Sequence, residues 1–279
     1  MTNNAGHGLF EKFKNASIDQ WHQALLKAAA SKDPSFPKFS HVAILGSADV
    51  KSGIDEAMNL YRIARPHLDD CVGANKTYLD FGCGVGRIMK TYMRDFPAEN
   101  MIGIDPMEDF IGTCKADFGD KFRFNHIGFR PPTNIPDNSV DVITAYSVFS
   151  HFSAIQATRW LNEFNRIARP GATIILTTYG RGHINYLCDT PYENLLKAKQ
   201  HQADFVNENG GKSEIFRMFE LGEMIYSIQG NIFGRYDYGH AYVGEEFARR
   251  VWGKNFEVLE VVDDFKKLEQ MAVVLRKRK

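Results

Sequence analysis

The first part of the chain places its hydrophobic residues at helical spacing. The residues on these predicted apolar faces are Ile18, Trp21, Leu25, Ala28, Ile54, Met58, Tyr61 and Ala64. Because side chains three and four positions apart share one face of a helix, residues 1–75 are predicted to form amphipathic helices. Pro34 and Pro37 interrupt the pattern, since proline lacks the N–H that a helix interior needs.

Residues 76–180 alternate short apolar runs with amphipathic stretches. The strand-like runs cover residues 77–81, 100–104, 122–127, 140–146 and 173–178. One helical stripe begins at Ile88 and stops at Pro97. Another follows a predicted capping box of Ser153 and Gln156 and ends at Pro170. This alternation is typical of βαβ units and predicts a parallel, doubly wound sheet.

Beyond residue 180 the pattern changes. Residues 181–244 are polar and aromatic without sheet periodicity, which predicts an inserted helical cap. A helix is predicted near residues 245–252, followed by two strands that pair antiparallel at the edge of the sheet. The predicted divisions are an N-terminal helical segment, a core, the cap and a final helix with a hairpin, at residues 1–75, 76–180, 181–244 and 245–279.

Charge and cysteine content narrow the class of protein. The 279 residues carry 34 acidic and 34 basic side chains, so a small-molecule partner is expected rather than nucleic acid or a membrane. The four cysteines show neither metal-ligand nor disulfide spacing, so no metal is predicted. The amino terminus does not resemble a signal peptide, and no apolar run reaches about 18 residues, which favours a cytoplasmic protein.

The segment TYLDFGCGVGRIMK, residues 77–90, joins a predicted strand to a predicted helix through three glycines. Gly82, Gly84 and Gly86 permit a tight turn and a close approach of the backbone to a ligand. A turn without a ligand is the alternative interpretation. Asp105 ends the next strand, where a carboxylate accepts hydrogen bonds from ribose hydroxyls. Together these residues predict a nucleoside pocket.

Asp80 distinguishes two possible cofactors for this pocket. The dinucleotide fingerprint spaces its glycines as GxGxxG beneath a pyrophosphate, whereas this chain has GxGxG. A carboxylate directly before the loop would repel a pyrophosphate but suits an ammonium group. Asp80 therefore favours S-adenosylmethionine over NAD as the cofactor.

Four segments of this region, taken in order, resemble one protein family. They are LDFGCGVG, IGIDP, IPDNSVDVITAYSVFSHF and WLNEFNRIARPGATIILTTYG. They resemble the small-molecule branch of the class I S-adenosylmethionine-dependent methyltransferases, over residues 76–180 and again in the last strand pair. The resemblance implies a Rossmann-like, seven-stranded sheet with a reversed last strand.

The resemblance also implies which residues bind the cofactor. They are Asp80, Gly82, Gly84, Gly86, Asp105, Pro106, Met107, Ser147 and Val148. Asp80 and the three glycines would surround the methionine portion, and Asp105 would bind the ribose. Pro106 and Met107 would contact the adenine, and Ser147 and Val148 would line the far side of the cofactor. Many relatives have an acidic residue after the third strand, where this chain has FNHIGFRPP, so adenine recognition is assigned to backbone groups near Ile127 and Gly128.

Methyl transfer to a hydroxyl needs a base that removes the proton, and histidine suits that role at neutral pH. His151 follows the fourth predicted strand and is the candidate base. The alternative is a structural role, in which His151 caps the next helix or bonds the backbone. The candidates for acceptor binding are Tyr179, Arg181, His183, Tyr186, His240 and Tyr242, each of which could also be a packing or surface residue.

Two further features allow more than one interpretation. The N-terminal helices fit either a lid over the cofactor or a homodimer contact. Aromatic residues of the cap fit either an apolar lining for the acceptor or the core of the cap itself. Those residues are Phe205, Phe216, Phe219, Tyr226, Phe233, Tyr236, Tyr238 and Tyr242.

Three hypotheses for the function follow from these features. The favoured one is an enzyme that transfers a methyl group from S-adenosylmethionine to an oxygen or nitrogen of a small molecule, such as a sugar or a natural-product intermediate. The second is a non-catalytic protein that keeps the fold for binding or as a partner subunit. The third is an NAD-dependent oxidoreductase, which the glycine spacing disfavours.

Overall fold

The computed structural model describes residues 6, 8–40, 49–228 and 238–279. The β-strands in this part of the chain are β1 Tyr78–Phe81, β2 Met101–Asp105, β3 Arg123–His126, β4 Val140–Ala145, β5 Ala168–Thr178, β6 Met224–Ile228, β7 Gly239–Val243, β8 Phe256–Val262 and β9 Met271–Lys277. The α-helices are α1 Leu9–Phe13, α2 Ile18–Ser31, α3 Val50–Ala64, α4 Arg87–Tyr92, α5 Glu108–Phe118, α6 Ala154–Ile167, α7 Arg181–Asp189, α8 Lys197–Glu208, α9 Gly211–Glu220 and α10 Glu245–Val251.

Seven strands form one mixed sheet in the order β3-β2-β1-β4-β5-β9-β8. β1 pairs parallel with both β2 and β4, and β2 pairs parallel with β3. β8 and β9 are antiparallel, and β8 lies at the edge. The predicted fold class, with its reversed last strand, is confirmed. The central parallel strands β1, β2 and β4 are buried along their whole length, as expected when helices cover both faces of a parallel sheet.

The chain divides into two compact units. The first comprises Met1–Tyr146 and Arg166–Ile174, and the second comprises Ser147–Asn165 and Ile175–Lys279. The domain boundaries expected from the sequence stay a prediction. In the described part of the chain, no helix is both long and apolar enough to cross a membrane.

In the first unit, the N-terminal helices pack on α4. The indole N–H of Trp21 in α2 donates to the carbonyl of Thr91 at 2.8 Å. The hydroxyl of Tyr61 in α3 donates to Asp95 at 2.7 Å, and both side chains are buried. The predicted apolar faces thus cover the helix that follows the glycine loop.

In the second unit, residues 181–244 contain an element that the sequence analysis did not predict. The three helices α7, α8 and α9 agree with a helical cap, but β6 and β7 form a separate two-stranded antiparallel sheet. The expectation of no sheet here was wrong, because pairing with other strands, rather than residue alternation, holds β7 extended. Phe233 and Tyr236 lie outside the described residues.

The boundary between α6 and β5 also differs from the prediction. The N–H of Gln156 donates to the Ser153 hydroxyl at 3.3 Å, as expected at the start of α6. The helix ends at Ile167 rather than at Pro170, and β5 begins at once with Ala168. The proline therefore lies in the strand, where its fixed φ is compatible with extended backbone.

Candidate functional site

The loop between β1 and α4 takes a backbone conformation that favours glycine. Gly82, Gly84 and Gly86 have φ angles of 69°, 53° and 73°. A Cβ atom at Gly86 would lie 2.5 Å from the ring of Phe118. The sequence prediction of a tight turn that needs glycine at these positions agrees with both observations.

Asp105, at the end of β2, holds this loop in place. Its Oδ2 accepts the N–H of Gly84 at 2.9 Å, and its Oδ1 accepts the N–H of Met107 at 2.8 Å. Burial raises the pKa of the carboxyl, and these two hydrogen bonds oppose the rise. Since each carboxylate oxygen has a second lone pair, Asp105 keeps acceptor capacity for ribose hydroxyls.

Asp80 presents an unused acceptor inside the first unit. It is buried in β1, and its Oδ1 accepts the hydroxyl of Thr144 at 2.8 Å. Its Oδ2 has no hydrogen-bond partner among the described residues. Burial raises the pKa of this carboxyl to about 7. A buried acceptor of this kind fits the ammonium group of an amino acid.

Lys90, which the sequence analysis did not single out, lies beneath the glycine loop. Its ammonium group donates to the carbonyls of Val85 and Gly86 at 3.2 and 3.4 Å. It also lies 4.3 Å from the centre of the Phe118 ring. Burial lowers the pKa of Lys90 to about 8. Only the spacing of Lys90 four residues after Gly86 pointed to this contact.

A charged cluster joins α3 to the start of α4. Glu56 accepts the hydroxyl of Tyr146 and, at 2.5 Å, the guanidinium of Arg87. The guanidinium lies 5.0 Å from the centre of the Tyr146 ring. Arg87 directly follows the last loop glycine, so the N-terminal helices are attached to the loop. Whether residues 1–75 act as a lid stays a prediction.

The residues expected near adenine are tied to one another. His126 bonds the carbonyl of Pro106 through Nε2 at 3.0 Å. The N–H of Ile127 donates to the carbonyl of Asp105 at 3.1 Å. Because that N–H is engaged, Gly128 is the remaining member of the predicted backbone pair for adenine recognition.

Ser147 and Val148 belong to the second unit. Ser147 has φ 57°, a left-handed conformation that is uncommon for a residue with a Cβ. Its N–H donates to the Thr177 hydroxyl at 2.7 Å, and its hydroxyl accepts the Gln270 amide at 2.9 Å. Thr177 in turn donates to Gln270 at 2.7 Å, which closes a ring of three hydrogen bonds. Val148 accepts the N–H of His151 at 3.0 Å.

Strand β7 brings most of the acceptor candidates together. The N–H groups of Gly239 and Ala241 donate to the carbonyls of His151 and Ser150 at 2.9 and 2.8 Å. The N–H of Val243 donates to the carbonyl of Tyr179 at 2.8 Å. Residues that are far apart in sequence therefore meet along one strand of the second unit. Arg181 is separate, since its guanidinium bonds Glu220 at 3.2 Å over the Phe216 ring.

His151 has a defined tautomer. Its Nδ1 lies 2.9 Å from the carbonyl oxygen of Gly239, which can only accept, so Nδ1 carries the proton. The ring stacks on Tyr238 with centroids 4.8 Å apart and planes at 7°. Burial lowers the pKa of His151, which favours the neutral ring. The backbone bond expected of a structural histidine is present, and the same bond makes Nε2 the basic nitrogen.

Gln202 of α8 lies among the other candidates and was missed by the sequence analysis. Its Oε1 is 2.8 Å from Nε2 of His183, and its Nε2 is 3.2 Å from Nδ1 of His240. Burial lowers the pKa of His183 to about 4 and that of His240 to about 3. A glutamine on a mostly polar helix gives no sequence indication of such a contact, because many glutamines are exposed.

The three tyrosine candidates differ in their surroundings. Tyr179 stacks on His183 with centroids 4.1 Å apart. Tyr242 is fully buried, and its hydroxyl has no hydrogen-bond partner in the described part of the chain. Tyr186 stacks on Phe265 instead, at 4.6 Å. Five candidates, His151, Tyr179, His183, His240 and Tyr242, thus form one cluster, which we call the histidine cluster, and Tyr186 lies beside it.

Comparison with known proteins agrees with this geometry. Residues 79–176 match the family described as methyltransferase domain. The tRNA N(3)-cytidine methyltransferase METTL2 of Danio rerio is 30% identical over 196 residues, which cover 61% of this chain and 54% of that protein. Residues 79–176 therefore form a methyltransferase domain, and the match spans only about half the length of this curated relative.

Solved structures show the same fold. A structure of an S-adenosylmethionine-dependent methyltransferase from Clostridium acetobutylicum has a TM-score of 0.54 and 12% identity, and the match covers 85% of this chain and 95% of that one. The N-methyltransferase NodS from Bradyrhizobium japonicum, solved with S-adenosyl-L-homocysteine, has a TM-score of 0.50 and 12% identity, with coverage of 93% and 99%. The prediction of a class I S-adenosylmethionine-dependent methyltransferase and of its cofactor, S-adenosylmethionine, is confirmed, whereas the small-molecule branch stays a prediction.

Proposed function

We propose that the protein transfers a methyl group from S-adenosylmethionine to an oxygen or nitrogen of a small molecule, with a sugar or a natural-product intermediate as the expected acceptor. The observation that carries this proposal is the cradle of the first unit. There, the unpaired Oδ2 of buried Asp80 stands at the base of three glycines with positive φ. These features fit an ammonium ligand held against the backbone.

Individual residues would hold the cofactor as follows. Asp80 would accept the ammonium group of the methionine portion, and Asp105 would accept ribose hydroxyls. Pro106 and Met107 would contact the adenine, and Ser147 and Val148 would line the far side of the cofactor. The sulfonium supplies an electrophilic methyl group, so the task of the protein is to align an acceptor with the S–CH3 bond and to exclude water.

His151 is the proposed general base. Its Nδ1–H is committed to the Gly239 carbonyl, so the proton of an acceptor hydroxyl would pass to Nε2. The lowered pKa of the ring leaves it neutral and able to accept that proton at pH 7. Tyr179, His183, His240 and Tyr242 are proposed to bind the acceptor, with Tyr186 beside them.

One observation favours a second candidate, a nitrogen of an RNA base. The relative from Danio rerio is named as a tRNA cytidine methyltransferase. Against it, the chain balances 34 acidic with 34 basic side chains, so its net charge does not attract the phosphate backbone of RNA. The small-molecule acceptor therefore remains the proposal.

Calorimetric titration of S-adenosylmethionine, S-adenosylhomocysteine and NADH into the purified protein is the first test. We expect both sulfur ligands to bind and NADH not to bind. The substitution Asp105→Ala should weaken the binding of both sulfur ligands. Absence of sulfur-ligand binding would refute the proposal, and tight NADH binding would support the oxidoreductase hypothesis.

The second test follows the methyl group itself. Protein with radiolabelled S-adenosylmethionine is incubated with a panel of small alcohols, phenols, sugars and amines, and separately with transfer RNA. Label in a small molecule, reduced at least tenfold in His151→Asn while cofactor binding is kept, supports the proposal. Label only in RNA selects the second candidate, and cofactor binding without any product favours the non-catalytic hypothesis.

A further inference from the structure

The side chain of Gln202 connects two buried histidines of the second unit. Its Oε1 lies 2.8 Å from Nε2 of His183, and its amide nitrogen lies 3.2 and 3.3 Å from the two ring nitrogens of His240. All three side chains are buried, with exposed fractions of 5%, 2% and 8%. An amide has one end that accepts and one that donates, so the two rings receive opposite roles.

These roles fix the protonation of both rings. Oε1 can only accept, so His183 carries a proton on Nε2. The amide nitrogen can only donate, so His240 offers it an unprotonated ring nitrogen. A neutral amide satisfies one proton on one ring and one lone pair on the other. It therefore suits two uncharged imidazoles, whereas a carboxylate at the same place would favour imidazolium.

Other aromatic and charged groups also face these two histidines and affect whether the rings are charged. His151 and Tyr179 lie 5.5 and 5.7 Å from His240 between ring centroids. Lys199, which acts on His183 from α8, forms an ion pair with Glu269 at 2.8 Å. Burial lowers the pKa of His183, the hydrogen bond to Gln202 raises it, the charge of Lys199 lowers it, and Glu269 raises it through its charge and its backbone. Burial is the largest cause that holds both imidazoles uncharged.

A buried hydroxyl in the same cluster has unused donor capacity. Tyr242 lies with its ring 5.7 Å from Tyr179 and 6.5 Å from His183 between centroids. Its hydroxyl finds no hydrogen-bond partner among the described residues. Burial raises the pKa of Tyr242, so the hydroxyl stays protonated. An unpaired buried donor of this kind is costly unless a ligand accepts a hydrogen bond from it.

We propose that Gln202 is a positioning residue that holds His183 and His240, which burial keeps uncharged, in opposite hydrogen-bonding roles, so that the histidine cluster takes an uncharged acceptor group, a hydroxyl or a neutral nitrogen. A carboxylate or phosphate would find no compensating imidazolium there and would lose its hydration on entry. This inference rests on the proposed function for the identity of the cluster as the acceptor site. The behaviour of the two histidines does not depend on it.

Nuclear magnetic resonance of protein with labelled histidine tests the positioning role directly. In Gln202→Glu we expect the pKa of His183 or His240 to rise by about 1 to 3 units, as for other rings beside a carboxylate. In Gln202→Met the pKa values stay low, but the ring-nitrogen shifts report loss of the fixed tautomers. Gln200→Glu is the matched control on the same helix, since Gln200 bonds the Tyr192 carbonyl instead, and we expect it to leave both histidines unchanged.

The choice of ligand is tested with phenol and benzoate, which place a hydroxyl or a carboxylate on the same ring. At pH 7.5, phenol is expected to shift the signals of His183 and His240, and benzoate to leave them unshifted. Equal responses to both probes, or stronger binding of benzoate, would overturn the proposed selectivity. Unchanged histidine pKa values in Gln202→Glu, with unchanged ring-nitrogen shifts in Gln202→Met, would overturn the positioning role.

These outcomes are separate from those for the proposed function. Titration of S-adenosylhomocysteine into the same variants checks that the first unit is intact. If the histidines respond as expected but no acceptor is methylated, the proposed function fails and the positioning role stands. If an acceptor is methylated by Gln202→Glu with an unchanged pH profile, the positioning role fails and the proposed function stands.

Discussion

The backbone N–H of Gly84 and the carboxylate of Asp105 lie 2.9 Å apart, from the loop after β1 to the end of β2. The same carboxylate accepts the N–H of Met107. One side chain thus sets the shape of the glycine loop and of the turn that follows β2. Asp105 organises the cofactor cradle in addition to any bond it makes to ribose.

We therefore expect Asp105→Asn to weaken S-adenosylhomocysteine binding by about tenfold or more. The amide keeps only one accepting end, and a hydrogen bond to a charged group is worth about 1.5 to 3 kcal/mol. Calorimetry measures the affinity, and Asp109→Asn, an exposed carboxyl in the first turn of α5, is the control. Equal affinities for both variants would show that the loop keeps its shape without Asp105.

Asp80 predicts a pH dependence of cofactor binding. Its pKa is raised to about 7 by burial, and an ammonium group binds the ionised form. Affinity for S-adenosylmethionine should therefore rise with pH, by up to about tenfold per unit below pH 7, and then level off. Calorimetry between pH 5.5 and pH 7.5 checks this slope. A flat profile in the wild-type protein would contradict it.

The raised pKa of Asp80 also predicts that the stability of the free protein falls with rising pH, whereas the cofactor affinity rises. As pH rises from about 4 to about 7, Asp80 ionises in the unfolded chain but stays protonated in the folded one, so its contribution destabilises the free protein. Asp80→Asn has no such group. We expect the free energy of unfolding of this variant, relative to that of the wild type, to increase as the pH rises through this range. Its cofactor affinity should be weak at every pH. Urea unfolding at pH 4.5 and pH 7.5 makes the comparison.

Much of the first unit could be predicted from the sequence because its determinants are local. Glycine spacing identified the loop, and the apolar run of β2 placed Asp105 at a strand end. These residues need only their own segments and the pairing of neighbouring parallel strands to come together. The reversed strand pair at the chain end could be predicted equally well, since its apolar runs are separated by a polar stretch.

The second unit was less predictable because its contacts are long-range. Gln202 meets His183 and His240 only after α7, α8 and β7 have packed, and no periodicity in the sequence encodes that meeting. Strand β7 was missed for the same reason. The polar contacts of Glu56 and Lys90 also depend on helices that pack across the first unit, and their residue types alone suggested exposed positions.

Glu56 gives a prediction about the attachment of α3. Replacing it with glutamine removes the charge that pairs with Arg87 and one of the two accepting oxygens. The pair is mostly buried, so we expect a loss of about 1 to 3 kcal/mol in the free energy of unfolding. Glu11→Gln, which breaks an exposed pair with Lys14, should change it little. Similar losses for both would mean that the buried cluster contributes no more than a surface pair.

Two substitutions at Ser147 distinguish the effect of backbone strain on stability from the effect of hydrogen bonding. Ser147→Ala loses the bond from Gln270 and keeps a side chain at φ 57°, whereas Ser147→Gly loses the bond but not the freedom to adopt that angle. We expect the alanine variant to be less stable than the glycine variant by about 1 kcal/mol. Urea unfolding of the two variants measures the difference. Equal stabilities would contradict the expected cost of a Cβ atom at this φ angle.

The hydrogen bonds of β7 to the segment around His151 and to Tyr179 have a consequence for insertions and deletions. Successive side chains of a strand point to opposite faces, so a slip of one residue would replace His240 and Tyr242 by their neighbours, Gly239, Ala241 or Val243. The register of this short strand therefore decides whether the histidine cluster exists at all. Changes in length within residues 181–238 can be inherited only when they leave that register unshifted, whereas point substitutions there can alter the chemistry of the cluster one residue at a time.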